Sequence, residues 1–269
     1  LVGSEMCIRD RVESEENIEG IVIGAYAVLD GYYASDAINS GCSNWQFGDV
    51  VSDDAYKGGG GTGDQNQIHL MEIFNANPTG IDFEARWAAL YEGVKRCNQA
   101  IRLLSNSTVK NKEQRLAEMR FLRGHYYFNL KVIYNLIPWI DETVVDPNEY
   151  HTKSNMEFTS DQLWEKILGE FSAAYQVLPE SQSDYGRPTK MAAKAYMAKV
   201  YLYQSKWKEC LSACDEVIQS GKYTLYPDFR EVFLPENDNN SEIIFAVQLS
   251  INDGASVSYT HLTLPTNSL

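Results

Sequence analysis

The residues with the widest chemical repertoire in this chain lie close together. In "NSGCSNWQFGDVVSDDAYKGGGGTGDQNQ", residues 39–67, Trp45 and Tyr56 offer aromatic faces, Asp53 and Asp54 carboxylates, Lys57 an ammonium, and Gln65 and Asn66 amides. Aromatic faces can stack on an apolar ligand surface while amides, carboxylates and basic groups exchange hydrogen bonds with its polar groups, so the set suits a shallow binding platform. Plainer roles stand beside that one. Trp45 fits a plug in the domain surface as well as a platform, and Asp53 and Asp54 fit the capping of turns or a helix. Tyr56 and Lys57 precede four consecutive glycines, which suits an exposed loop available for ligand contact. The glycine run lacks the Lys-Ser/Thr ending of a phosphate-binding loop.

Other chemistries find no support. With 37 Asp and Glu residues some carboxylate pair is inevitable, so their abundance is no sign of a glycoside hydrolase. There is no GxSxG, no HExxH and no dinucleotide fingerprint, and we expect no enzymatic activity and no cofactor. Cys42, Cys97, Cys210 and Cys214 form no CxxC or Cys/His cluster, and His125 has no partner at metal spacing, so no metal is expected. Cys210 and Cys214, one helical turn apart, read as small packing residues. A formal charge of -14 with scattered Lys and Arg disfavours nucleic acid and anionic membrane surfaces. No apolar run approaches the roughly 20 residues of a membrane-spanning helix.

The elements that must position the loop are mostly helical. Apolar residues recur at three and four in "IEGIVIGAYAVLDGYYASDAI", "FEARWAALYEGVKRCNQAIRLLS", "KEQRLAEMRFLRGHYYFNLKVIYNL" and "TSDQLWEKILGEFSAAYQVLP", then in "TKMAAKAYMAKVYLYQSKWKE" and "ECLSACDEVIQSGKY". Thr159 with Ser160 and Asp161 can cap the fourth helix, Pro179 follows its end, and Gly221 closes the sixth. One segment, "SEIIFAVQLS", predicts a minor β element near 243–249. Trp87, Trp164 and Trp207 sit in periodic helices and are expected to pack, while Trp139 after Pro138 fits either surface or an interhelical space. Arg120 and Arg123 are read as solvating a face or pairing with acids.

The third helix carries Phe121, Tyr126, Tyr127, Phe128 and Tyr134 over a wide arc, which demands neighbours on two sides. Stacked hairpins supply them. Ala198, Tyr201, Cys210, Cys214 and Val217 are spaced as in a tetratricopeptide repeat, and Ile167, Phe171, Ala174 and Pro179 fit the second half of another. The fold class is therefore mostly α, a tetratricopeptide-like stack of helical hairpins with a long polar loop.

In order along the chain, "FGDVVSDDAYKGG", "WAALYEGVKRCNQAI", "AEMRFLRGHYYFNLKVIYNLIPW", "GRPTKMAAKAYMAKVYLYQSKW" and "YTLYPDFREVF" resemble the N-terminal part of the SusD/RagB family, the glycan-binding lipoproteins of bacterial outer membranes. The resemblance spans about Asn17 to Asn252. It implies a non-catalytic surface lipoprotein that captures an oligosaccharide, or in some members a peptide, and delivers it to a SusC-like TonB-dependent transporter. Membrane attachment would run through an N-terminal lipid anchor that this sequence does not display, and family members continue well beyond residue 252. Two alternatives remain, an intracellular peptide-binding scaffold and a glycoside hydrolase. Residues 1–12 and 253–269 resemble translated sequencing-adapter read-through and are expected to be non-native, leaving 13–252 as one helical domain that is incomplete on its C-terminal side.

Overall fold

The computed structural model describes residues 15–31, 45–52 and 54–248. The chain clusters into two compact units, one formed by residues up to Tyr26 together with Gly93–Gln248, the other by Ala27–Glu92. The helices are α1 (Glu15–Tyr26), α2 (Asn66–Glu72), α3 (Ile81–Asn106), α4 (Lys112–Tyr134), the short α5 (Pro147–Tyr150), α6 (Ser160–Val177), α7 (Lys190–Tyr203) and α8 (Trp207–Gln219). The six helices read from periodicity are present, though the first gives way to a 3-10 turn at Ala27–Asp30 and its continuation from residue 32 lies outside the described residues. Periodicity missed α2 and α5, both too short to complete an apolar stripe.

In the larger unit α4 packs on α6, α6 on α7, and α7 on α8, with α1 against α4. The arc of α4 is explained by this arrangement. Tyr126 turns toward α1 and α3, and its hydroxyl donates to the Ala25 carbonyl at 2.7 Å. Phe121 turns toward α6 and α7, meeting the rings of Phe171 and Tyr196 edge-on at 5.7 and 5.0 Å. Two glycines permit the close approach. A Cβ at Gly93 on α3 would stand 2.6 Å from the Tyr126 ring, and one at Gly124 on α4 would stand 2.9 Å from Phe171. Gly93→Ala is expected to cost about 1–3 kcal/mol by overpacking, read as a lower urea midpoint; a parental midpoint would mean that Tyr126 can retreat freely.

Polar groups lock the connections. Thr159 and Gln162 form a reciprocal capping box at the start of α6. The loop before α7 is drawn in by a completely buried carboxylate, Glu118 on α4. It accepts from the Tyr26 hydroxyl at 3.0 Å, from Arg115 and Arg187 at 2.8 Å each, and from the amides of Gln114 and Gln182. Five donors on one carboxylate compensate for its removal from water.

The segment after Pro138 is pinned to α3 and α4. Tyr127 donates to the Ile140 carbonyl at 2.7 Å, Asn98 donates to the same carbonyl at 2.9 Å, and the Trp139 ring stacks on Tyr127 at 4.0 Å. Trp139 is therefore interhelical. His125 shares a hydrogen bond of 2.9 Å with the Tyr196 hydroxyl.

Three sequence expectations are corrected. The β element near 243–249 is not a strand over its described residues 243–248, because no extended neighbour pairs with it there; Phe245 instead packs on Phe121 at 5.0 Å. Trp207 is 62% exposed, and Cys214 is exposed while Cys210 is half-buried. The buried stripe of α8 runs through Ala213 and Val217, which rotates Trp207 and Cys214 away from α7. Trp164 is buried as expected, and Trp87 is half-buried against Tyr91 with ring centroids 4.8 Å apart.

Candidate glycan-binding segment

The loop residues singled out above belong to the smaller unit. Trp45 opens a π-helical turn, Trp45–Asp49, followed by a 3-10 turn, Val50–Ser52. These turns pack against α2, which buries Ile68 and Met71. Phe47, two residues along from Trp45, meets Phe83 edge-on at 5.5 Å and lies under the Arg86 guanidinium. Trp45 itself is half-buried, and Asp53 lies outside the described residues.

Beyond the turns the chain becomes a polar surface. Asp54 is exposed and accepts from the Ser52 hydroxyl at 3.2 Å, so its carboxylate takes part in the turn. Ala55 donates its N–H to the Asp49 carbonyl at 3.1 Å, which returns the chain over the helical turns. Tyr56 follows with 75% of its surface exposed. Both faces of an aromatic ring can take part in stacking, and this ring is left open on a segment fixed on both sides. Lys57 donates to the main-chain carbonyls of Gly61, at 3.0 Å, and Asp64. Gln65 and Asn66 are exposed at the start of α2, where Gln65 adopts a left-handed conformation (φ 48°) and Asn66 donates to the Thr62 carbonyl at 3.1 Å.

The structure thus brings Asp54, Tyr56, Lys57, Gln65 and Asn66 onto one short exposed segment bounded by the 45–52 turns and α2. It offers an aromatic face with carboxylate and amide groups, a set that can stack on a ring and exchange hydrogen bonds with hydroxyls. Among the described residues no group of His, Cys, Asp and Glu is placed to hold a metal ion. Sequence reasoning passed over Phe74, which is 79% exposed with a left-handed backbone (φ 54°) just after α2. Its signal was an aromatic immediately before "NANPTG", a stretch too rich in turn formers to bury it.

A concavity of about 400 Å³ lies in the larger unit between the 180–189 loop, Tyr223 and residues 243–246. Its polar groups answer one another: Lys222 donates to the Glu180 carbonyl, Thr189 pairs with Tyr223, and Asn239 with Gln248.

The profile of the SusD-like family, described as starch-binding and associating with the outer membrane, matches residues 7–202. A SusD-like protein of Formosa agariphila is 22% identical over 256 residues, covering 88% of this chain and 45% of the relative. A SusD-like protein of Bacteroides ovatus is 26% identical over 178 residues, 60% of this chain and 32% of the relative. Among solved structures, the surface glycan-binding protein A of Bacteroides thetaiotaomicron in complex with laminarihexaose superposes with a TM-score of 0.74 at 28% identity, over 88% of this chain and 50% of that one. A laminarin-binding SusD-like protein gives 0.75 at 26% identity, over 87% of this chain and 51% of that one. The chain therefore spans half or less of the length of the curated relatives, and about half of these solved chains. With a profile match across most of its residues and a helical stack shared with solved members, this chain belongs to the SusD-like family.

Proposed function

We propose that this chain is part of a non-catalytic surface glycan-binding protein of the bacterial outer membrane, one that captures an oligosaccharide and passes it to a SusC-like TonB-dependent transporter. The observation that carries the reading is the shared fold, at 28% identity, with a surface glycan-binding protein solved with laminarihexaose. The exposed segment of the smaller unit is chemically suited to that ligand class. Tyr56 supplies the stacking face, Asp54, Gln65 and Asn66 the hydroxyl partners, and Trp45, Asp53 and Lys57 belong to the same segment. Among the described residues no helix is long and apolar enough to cross a membrane, which is compatible with attachment through a lipid anchor.

Affinity electrophoresis and calorimetry with laminarin and a panel of soluble glycans test the reading. The parent is expected to bind at least one glycan and to leave its chain length unchanged on chromatography. Tyr56→Ala is expected to weaken binding by roughly five- to thirtyfold, about 1–2 kcal/mol, for a lost aromatic face. Because Tyr56 is largely exposed, the melting temperature should not move. Equal binding by the variant would remove Tyr56 from the site, and shortened glycan products would replace the binding protein with a hydrolase.

A further inference from the structure

Lys57 is engaged in a way that its sequence position does not suggest. Its ammonium donates to the carbonyls of Gly61, at 3.0 Å, and Asp64, so two of its three N–H groups are committed to the main chain. The Asp64 carboxylate reaches back and accepts the Gly60 N–H at 2.9 Å, and the Asp64 N–H donates to the Gly61 carbonyl at 3.2 Å. At the root of the loop, the Lys57 N–H donates to Glu72 of α2 at 3.4 Å. Two charged residues, one on each side of the glycine run, thereby close it into a ring.

The glycines explain why such a tie is needed. Ordering one backbone residue costs on the order of 1–2 kcal/mol, and glycine has the most freedom to lose. Gly58, Gly59 and Gly61 all hold positive φ, at 70°, 74° and 105°, so the loop cannot be stiffened by substituting ordinary residues without strain. Gly59 adds an independent sign that ring and carboxylate were built together. A Cβ there would fall 2.2 Å from Asp64 Oδ2, so the carboxylate occupies the space a side chain would take. The exposed Tyr56 is joined directly to this ring, and the amides of Gln65 and Asn66 leave from its other end.

We propose that Lys57 is a positioning residue: by tying Gly61 and Asp64 it holds Tyr56, Gln65 and Asn66 as a preformed surface for an oligosaccharide, and it does not itself bind a sugar hydroxyl. The proposal rests on the reading of this segment as the glycan platform. A surface organised before the ligand arrives spares the ordering cost at the moment of binding, so removal of the tie weakens affinity without removing a contact.

The test compares the parent with Lys57→Met, Lys57→Arg, Gly59→Ala and Tyr56→Ala, using laminarin binding, thermal melting and amide hydrogen exchange of the glycan-free chain. Lys57→Met is expected to weaken binding about five- to tenfold, chiefly in the entropy, at an unchanged melting temperature. Exchange at the Gly60 amide, which is bonded to Asp64, should accelerate in parallel. Lys57→Arg, whose guanidinium can bridge two carbonyls, should restore both readouts to within about twofold of the parent. Gly59→Ala, which alters neither Tyr56 nor Lys57, should reproduce Lys57→Met. Parental affinity in Lys57→Met alongside lost binding in Tyr56→Ala would overturn the tie and leave the platform standing. Weak binding by Lys57→Arg with a protected Gly60 amide would overturn it in favour of a direct contact. A parent that binds no glycan would sink the platform and the tie together.

Discussion

Arg123→Leu is expected to be among the most destabilising single changes in the chain, at about 3–5 kcal/mol, because it leaves a carboxylate buried without its counter-charge. Arg123 on α4 is 2% exposed. Its guanidinium donates to both carboxylate oxygens of Glu170 on α6, at 3.1 and 2.8 Å, to the Asn98 side chain of α3 at 2.8 Å, and to Glu142. Three helices and the post-Pro138 segment meet on this one group. Thermal melting should show a drop of roughly 6–20 °C. The double variant Arg123→Leu/Glu170→Leu should recover most of the loss, since a buried pair replaced by apolar groups is often neutral. A single variant as stable as the parent would contradict the assignment.

The same cluster sets a pH dependence. Partial burial raises the Glu142 carboxyl, but the Arg123 charge and its hydrogen bond outweigh burial and hold it below the usual carboxylate range. A carboxyl with a depressed folded value contributes stability above its unfolded value, about 4.3, and loses it as pH falls through the folded value. Stability from this pair should therefore be flat from neutral pH down to about 5 and decline below that. In Arg123→Leu the Glu142 share of that decline should disappear.

The second large effect is expected at Phe171→Ala, about 3–5 kcal/mol in urea unfolding followed by far-ultraviolet circular dichroism. Phe171 on α6 is fully buried, meets Phe121 and Tyr196 at 5.7 and 5.0 Å, and lies against Gly124. Truncation opens a cavity where α4, α6 and α7 converge, and Gly124 has no side chain with which to refill it. Phe171→Leu should cost less than half as much. A loss below about 1 kcal/mol for Phe171→Ala would show that the stack closes over the gap and does not depend on interlocked rings.

Much of the architecture was legible because helical periodicity is local. Any residue three or four places from another shares its face, so the spans of α3, α4, α6, α7 and α8 follow from apolar spacing to within a few residues. The breadth of the apolar arc on α4 even required neighbours on two sides, and Thr159 marked the start of α6 through chemistry confined to one turn. Strand formation is not local in this sense. "SEIIFAVQLS" has strand composition, but a ladder needs a second extended segment, and over residues 243–248 the chain forms no strand while Phe245 packs on Phe121 of α4.

In the candidate site, the sequence determined which chemistries were concentrated between Trp45 and Asn66, and it marked the glycine run as an unusual backbone. Only the tertiary structure decided their assignments. It left Tyr56 open, turned Asp54 toward Ser52, and exposed Phe74 after a helix too short to read from periodicity. It also engaged Lys57, a residue whose type suits a ligand contact, in binding its own main chain. The physical reason is that a charged side chain binds whichever acceptors the fold brings within about 3 Å, and those carbonyls are placed by φ angles that no residue type states on its own.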